Sequence, residues 1–397
     1  MTSFDYIVVG SGIIGMSCAR ELSIRHPGAS VCVIDKEPAP ARHASGRNSG
    51  ILHAGFYYSA ESLKARLCAD GNRLLTEYCL EKGLRIDRCG KVVCAASPDE
   101  TAGVDELLRR GRVNGIDVKA VDVGELRELE PAARTFGRAL WSPTTAVVDP
   151  EEVCLSLAGD LRARGVEFMF DTKFLRRLPG RAIETSQGRL ECDALINCAG
   201  LYADRVAHRY GVGEEYTVIP FKGYYYRYKH AAHFRRHVYP VPNLANPFLG
   251  VAFTRCADGT AKCGPTATPV FWRECYGLIE GFRLDEAVEI SLWEALLFAA
   301  NDFNFRDLAL VEMKKYLKSG FVKMARRLMP SADPAMFGDS LRPGIRAQLL
   351  DRNQRRLEMD FVIRKGEASV HVLNAVSPAF TCSFAFARLV VDEAMTS

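Results

Sequence analysis

The chain has 397 residues, enough to bury a large core and to divide into two domains, because single cores stop growing at roughly 250–300 residues. Hydrophobic residues make up 48% and charged residues 25%, as in an ordinary soluble protein, and a formal net charge of +4 does not imply a nucleic-acid partner. Thirteen scattered cysteines with no CxxC pair indicate neither a disulfide framework nor a zinc site, so reduced thiols in a cytoplasmic setting are expected.

The first strand is read as beginning within a few residues of Met1, so no signal or transit peptide is expected. No apolar run approaches the ~20 residues that a membrane span needs. Tyr6 to Val9 run straight into Gly10-Ser11-Gly12-Ile13-Ile14-Gly15, an apolar-periodic helix follows to about Ile24, and Val31 to Ile34 form a second strand ending at Asp35 and Lys36. This is a complete βαβ unit of the dinucleotide-binding kind. Gly10 permits the tight turn, Gly12 lets backbone approach a pyrophosphate, and Gly15 lets helix and strand pack closely. The helix N-terminus offers N–H groups to phosphate, and Asp35 can accept the ribose hydroxyls. An acid here with no arginine just after it argues against a 2′-phosphate.

Residues 42–55 are small and polar with no hydrophobic period, and they contain Arg47, Asn48, Ser49, Gly50 and His53. Such a run reads as a segment lying on a ligand, where small residues let backbone come close. The aromatic run Phe56-Tyr57-Tyr58 directly after it argues against a free loop. A helix from Ser62 to Lys82 follows, ending at Gly83. Next come a strand at Val92–Ala96, helices at 100–114 and 125–129, a helix from Pro150 to about Arg164 and a strand at 166–170. Ala194 to Gly200 form a buried strand meeting a glycine turn and a helix, a second phosphate-facing edge at Ala199 and Gly200.

From about Tyr216 to Pro330 the character changes to aromatic-rich strands, Gly223 to Tyr228 and Phe248 to Phe253, and then to helices. His230, His233 and His237 have a spacing that on a helix would put three imidazoles on one face, yet the neighbouring Lys229, Arg235 and Arg236 favour a solvated basic turn over a metal site. Residues 308–328 are basic and amphipathic, which leaves open both a peripheral contact with an anionic membrane and ordinary covering helices. The chain closes with Gly344-Ile345-Arg346-Ala347-Gln348, a charged hairpin, the strand Val370 to Asn374, and a helix starting near Ser377-Pro378-Ala379.

Taken together, the GSGIIG unit, the segment Ser45 to Gly50, Ser62 to Cys68, Asn197 to Arg205, Tyr239 to Pro242 and Gly344 to Gln348 resemble L-2-hydroxyglutarate dehydrogenases and oxidases, within the D-amino-acid oxidase and glycine oxidase class of flavoproteins. The resemblance covers essentially the whole chain. It implies an α/β fold: a Rossmann-like FAD-binding domain (residues 1–88, 145–214 and 336–397) with an inserted substrate domain (89–144 and 215–335) built on a mostly antiparallel sheet plus helices. It also implies FAD. Gly10, Gly12, Ile13, Ile14 and Gly15 would meet the pyrophosphate, and Asp35 with Lys36 the ribose. Arg47, Asn48, Ser49 and Gly50 would lie along the pyrophosphate and flavin, Ala199 and Gly200 near the phosphates, Gly344 and Arg346 by the flavin, and Asn374, Ser377, Pro378 and Ala379 at its pyrimidine edge.

One departure bears on the substrate. Where those enzymes show a histidine in an LGVHFT-like strand, this chain has Ala252, and Gly264-Pro265-Thr266 replaces GPN. Alanine cannot take a proton, so His53 becomes the leading base, with Tyr57 and Tyr225 as further proton acceptors or substrate contacts and Arg346 as the carboxylate anchor. The expected reaction moves a hydride from a carbon bearing a hydroxyl to the flavin, and passes electrons to oxygen or a quinone. Two alternatives are oxidation of an amine or a larger metabolite in a diverged pocket, and a flavin-binding protein without catalysis.

Overall fold

A computed structural model of the chain describes residues 2–243 and 250–395. Five parallel strands form the centre of the first sheet, in the order Glu167–Met169, Val31–Ile34, Thr2–Val9, Gly188–Asn197 and Ser369–Asn374. Ala182–Thr185 and Phe174–Arg177 extend it antiparallel from the start of Gly188–Asn197, and Val362–Gly366 closes the edge against Ser369–Asn374.

Side-chain alternation along the first strand sets its two faces. Val8 joins a helical layer made by Ile13–Arg25, Leu63–Glu81, Pro150–Ala163 and Ala379–Met395. Ile7 and Val9 face the other way, onto Phe174, Ile183, Leu190 and Val206. Ile7 and Val8 are fully buried, each contributing about 1.5–3 kcal/mol of transfer free energy. The helices start where the sequence caps them. The Ser62 hydroxyl accepts from the Ala65 N–H, and the Asp149 carboxylate from the N–H groups of Glu151 and Glu152 with Pro150 at the first helical position.

The second sheet has eight strands, in the order Phe337–Ser340, Tyr226–Tyr228, Ala261–Gly264, Ala252–Arg255, His237–Pro240, Lys91–Cys94, Arg138–Ser142 and Lys119–Asp122. Every neighbouring pair is antiparallel except His237–Pro240 with Lys91–Cys94. A four-stranded sheet of Thr268–Pro269, Tyr216–Gly223, Gly344–Asp351 and Arg356–Leu357 completes the frame.

One expectation is corrected here. Gly223 to Tyr228 is not one strand, because Tyr216–Gly223 and Tyr226–Tyr228 belong to different sheets and the chain turns a corner at Tyr224 and Tyr225. The corner depends on Gly223: a Cβ there would lie 2.7 Å from the Thr266 carbonyl oxygen and 2.8 Å from Arg346 Nη1. Residues 308–328 hold two short helices, Phe305–Met313 and Lys318–Ala325, and Lys315 turns inward to pair with Glu312. Of the strand expected at Phe248 to Phe253, Phe248 and Leu249 lie outside the described residues, while Ala252–Arg255 is a strand.

Candidate active site

A cavity of about 640 Å³ opens where the C-terminal ends of the parallel strands meet the corner at Tyr224 and Tyr225 between the second eight-stranded sheet and the four-stranded one. Volumes of this order suit a small-molecule or cofactor site. At one end lie Gly10, Gly12, Ile13, Ile14, Asp35 and Lys36. Gly10 has φ +106°, and a Cβ on it would come within 2.5 Å of the Cys198 carbonyl oxygen, so the two glycine turns press directly together. Gly12 caps its helix with no side-chain acceptor, and Ser45 Oγ takes the Ile13 N–H at 2.9 Å. The remaining first-turn N–H groups fit a phosphate. Gly15 does not line the cavity; a Cβ there would meet the Gly10 carbonyl oxygen at 1.9 Å, so its part is helix–strand packing.

Asp35 Oδ2 accepts from the Ser11 N–H and hydroxyl, both at 2.6 Å, and Oδ1 from the Glu37 N–H at 2.9 Å. A carboxylate has about four lone-pair sites, which leaves Oδ1 able to accept one more hydroxyl from the cavity. The Lys36 ammonium is bound to Glu37 and, at 2.8 Å, to Glu274. Glu37, His43 and Glu274 are the trio among the described residues with ligand atoms close enough for a metal, but the Lys36 cation bridges them and His43 Nδ1 meets the Tyr276 hydroxyl at 2.8 Å. The His230 and His233 rings stack with centres 5.4 Å apart, but His237 does not join them. His233 bonds Tyr228 and Ser331, whereas His237 lies in a strand against Cys89.

The small-residue segment forms the middle wall. Arg47, Asn48 and Ser49 line the cavity. Arg47 Nε donates to the Arg42 carbonyl at 2.8 Å, and its guanidinium lies 4.0 Å from the Tyr276 ring centre. Gly344 packs beneath it, since a Cβ there would lie 2.6 Å from the Arg47 carbonyl oxygen. Asn48 Oδ1 accepts from the Gly50 N–H at 2.7 Å. Gly50 itself packs on Val148 and does not reach the cavity; its φ is +76° and a Cβ would meet the Val148 carbonyl oxygen at 2.1 Å. Ala199, Gly200, Ser377, Pro378 and Ala379 line the opposite side. Asn374 does not, because its amide donates to the carbonyls of Glu358 and Asp360 at 3.1 and 2.6 Å and accepts from the Leu349 N–H.

His53, Tyr57, Tyr225 and Arg346 share the same cavity. The His53 backbone is fixed on three sides. Its N–H donates to Thr381 Oγ1 at 3.1 Å, and its carbonyl accepts from the Asn72 amide at 3.1 Å and the Cys68 thiol at 3.3 Å. Among the described residues, His53 Nδ1 and the Tyr57 hydroxyl are both buried without a hydrogen-bond partner, and such orphans cost about 1–3 kcal/mol each. Two of them in one wall fit a polar ligand. Burial, reinforced by the Lys91 ammonium, holds His53 well below the usual imidazole range, so it is a neutral acceptor at pH 7. Burial pushes Tyr57 and Tyr225 up, which makes them hydrogen-bond donors near neutrality and not proton acceptors. Arg346 Nη1 donates to the Thr266 carbonyl at 3.2 Å.

Sequence reasoning missed Lys64, which also lines the cavity and which burial pulls down to about 8. Its signal is positional, since Lys64 falls on the same helix face as Cys68, Gly71 and Leu75, all buried. Tyr239 and Thr381 were also missed. Ala252 is fully buried but is not among the cavity-lining residues.

The family model described as FAD dependent oxidoreductase matches residues 5–393. The human protein named L-2-hydroxyglutarate dehydrogenase, mitochondrial, is 35% identical over 99% of this chain and 89% of its own length. L-2-hydroxyglutarate dehydrogenase of Escherichia coli K12 is 34% identical over 99% and 93%. Among solved structures, dithionite-reduced L-alpha-glycerophosphate oxidase from Mycoplasma pneumoniae with FAD bound superposes with a TM-score of 0.80 at 20% identity, over 100% of this chain and 95% of that one. Glycine oxidase from Geobacillus kaustophilus gives 0.72 at 18%, over 100% and 96%. With a dinucleotide cradle, a polar reactive end and whole-length similarity in agreement, the chain belongs to the FAD-dependent oxidoreductase family and is a flavoenzyme of that class.

Proposed function

We propose that the chain oxidises a 2-hydroxy acid of the L-2-hydroxyglutarate kind, with residues 1–88, 145–214 and 336–397 holding the cofactor and the remainder shaping the substrate pocket. The observation that carries this reading is the meeting, in one cavity, of the Arg346 guanidinium with an orphaned, neutral His53. Its naming follows the relatives that share the chain's whole length. FAD, when bound, supplies the acceptor for the two electrons that leave the substrate's α-carbon. Arg346 grips the 1-carboxylate with its planar fork and so fixes where that carbon sits. His53 takes the hydroxyl proton. Tyr57 and Tyr225, both protonated, donate hydrogen bonds to substrate oxygens, and the closed aromatic floor keeps water away from the proton acceptor.

Electrons then pass to oxygen or to a quinone. Exposed apolar residues on Leu284–Ala300 and Phe305–Met313, beside exposed Lys314 and Lys318, favour a peripheral membrane contact and therefore a lipid-soluble acceptor. The deciding experiment mixes FAD-loaded protein anaerobically with L-2-hydroxyglutarate, its D-isomer, and a panel of other hydroxy acids and amino acids. Bleaching of the flavin by the L-hydroxy acid is expected. Bleaching by amino acids alone, or by nothing, would sink the reading.

A further inference from the structure

One lysine of the cavity wall has no part in the functional reading. Lys64, the second residue of the helix Leu63–Glu81, lines the cavity and is only 6% exposed. Among the described residues its ammonium meets no hydrogen-bond acceptor and no carboxylate at ion-pairing distance; it lies 5.7 Å from the Phe361 ring centre. The acid beside it is spent on backbone. Asp360 Oδ2 accepts from the Leu63 N–H at 2.6 Å, and Oδ1 from the N–H groups of Lys64 at 3.1 Å and Phe361 at 2.9 Å. A buried ammonium without an anion is costly, and it needs a reason.

A second positive feature faces the same cavity. Ser377 to Thr381 all line it and lead into the helix Ala379–Met395. The helical ladder starts where the Cys382 N–H donates to the Pro378 carbonyl at 3.0 Å, so the N–H groups of Phe380 and Thr381 lie ahead of it, at the positive end of the helix dipole. Lysine and helix start are tied together. A Cβ on Gly71, two turns along the lysine's helix, would lie 2.6 Å from the Cys382 Cα. Phe361, under the ammonium, packs on Phe386 of the closing helix with ring centres 4.6 Å apart. The Asn374 amide, just before the turn, donates to the Asp360 carbonyl at 2.6 Å.

Two positive features without a neutralising acid fit a negative group of the ligand. Both come from the helical layer on the first sheet, which carries the dinucleotide cradle, whereas Arg346 and Tyr239 come from the other two sheets. The negative group is therefore the cofactor's and not the substrate's. FAD offers two: the pyrophosphate, for which the start of Ile13–Arg25 is already shaped, and the ring once it is reduced. In the proposed oxidation the substrate's hydroxyl proton goes to His53, and the α-hydrogen leaves as hydride, bringing two electrons and one proton to flavin N5. The ring, neutral when oxidised, is left with one negative charge shared by N1 and C2=O.

We propose that Lys64, with the first turn of Ala379–Met395, is the cation that balances this charge at the N1–C2=O end of FAD and so makes the bound flavin a better electron acceptor. Burial brings Lys64 down to about 8, which leaves it charged at pH 7. A fixed cation placed where charge develops needs no rearrangement when the electrons arrive.

The test compares FAD-loaded parent, Lys64→Met and Lys64→Arg by reductive titration against a dye of known potential, which needs no substrate. The two-electron potential of Lys64→Met should fall by about 30 mV, a tenfold change in the equilibrium between oxidised and reduced flavin. Lys64→Arg should stay near the parent, since its charge persists. An unmoved potential in a Lys64→Met protein that holds FAD overturns the proposal, as does a Lys64→Arg potential that falls equally far. Weaker binding of FAD or of the hydroxy acid with an unmoved potential also overturns it, because the cation would then serve a phosphate or a carboxylate. Should Lys64→Met fail to fold, Lys64→Gln carries the same comparison. If no hydroxy acid reduces the flavin, the functional reading fails by itself, and the substrate-free potentials still decide the part of Lys64.

Discussion

At position 346 the guanidinium is anchored on the Thr266 carbonyl and packed over Gly223 before any ligand arrives. Its plane is therefore set in advance, and a carboxylate pays little to align with it. Replacing Arg346 with Lys keeps the charge but loses the fork, so the apparent dissociation constant for substrate should rise by about 10–100-fold, the loss of roughly one charged hydrogen bond. His53→Asn should instead slow flavin reduction by about 10²–10⁴-fold, with FAD still bound. Rapid mixing of substrate with each variant separates the two effects. A His53→Asn protein that reduces as fast as its parent removes the imidazole from the chemistry. Ala252, the departure noted from the resemblance, packs with Phe56, Tyr57 and Tyr239 behind the wall. A simple exchange to histidine would overpack that floor, at about 1–3 kcal/mol.

Among the elements, the first βαβ unit was legible because its constraints are local: a turn with positive φ, a helix start without a side-chain cap, and an acid at the next strand's end. The family resemblance placed Gly15, Gly50 and Asn374 on the ligand, whereas Gly15 packs helix on strand, as its place in the glycine turn implies, and Gly50 and Asn374 serve packing and backbone latching. Sequence shows that a residue must be small or polar but not which neighbour demands it. The corner at Tyr225 was illegible for a related reason, since Thr266 and Arg346, distant in sequence, decide where the strand must break. Lys64 and Lys91 escaped notice because strand and helix packing, and not composition, decides whether a cation is buried. The turn after Asn197 gives a testable case. Asn197 Nδ2 donates to the Ala203 carbonyl at 2.7 Å and to His371 Nδ1 at 3.1 Å, while His371 Nε2 meets Ser369 Oγ at 3.0 Å. A proton on Nδ1 would face a donor. Burial brings His371 down to about 4, against about 6.5 in an unfolded chain. The unfolded state thus binds more protons between these values, and the contribution of neutral His371 is present above about 6.5 and lost as pH falls to about 4, a total near 3 kcal/mol. Denaturant unfolding across that window should fall more steeply for the parent than for His371→Gln. Parallel curves would show that His371 does not titrate with unfolding.

On the scale of the whole molecule, one surface is out of keeping with the rest. Leu284, Val288, Leu292 and Leu296 recur at four-residue spacing along the outer face of Leu284–Ala300, and Leu292 is 67% exposed. Leu310, Met313 and Leu317 are exposed in the segment that follows, and Leu317 reaches 70%. Of the acids of this region, Asp285 and Glu289 pair with Arg205 and Glu312 with Lys315, while Asp307 stays exposed. Lys314, Lys318 and Lys323 are exposed beyond Met313, so the end of the apolar face nearest them carries basic side chains. No helix among the described residues is long and apolar enough to cross a bilayer, which leaves interfacial attachment as the membrane mode these helices can support. Apolar side chains would enter the headgroup boundary while the lysines meet anionic lipid, each worth about 1 kcal/mol near the surface. Sedimentation with vesicles rich in anionic lipid should pull the protein down at low salt, with binding falling as ionic strength shortens the screening length. Leu284→Glu with Leu292→Glu should abolish it and leave FAD in place. A protein that ignores vesicles at low salt, or one that hides this face in a dimer sensitive to the same two substitutions, would show that the surface meets protein and not lipid.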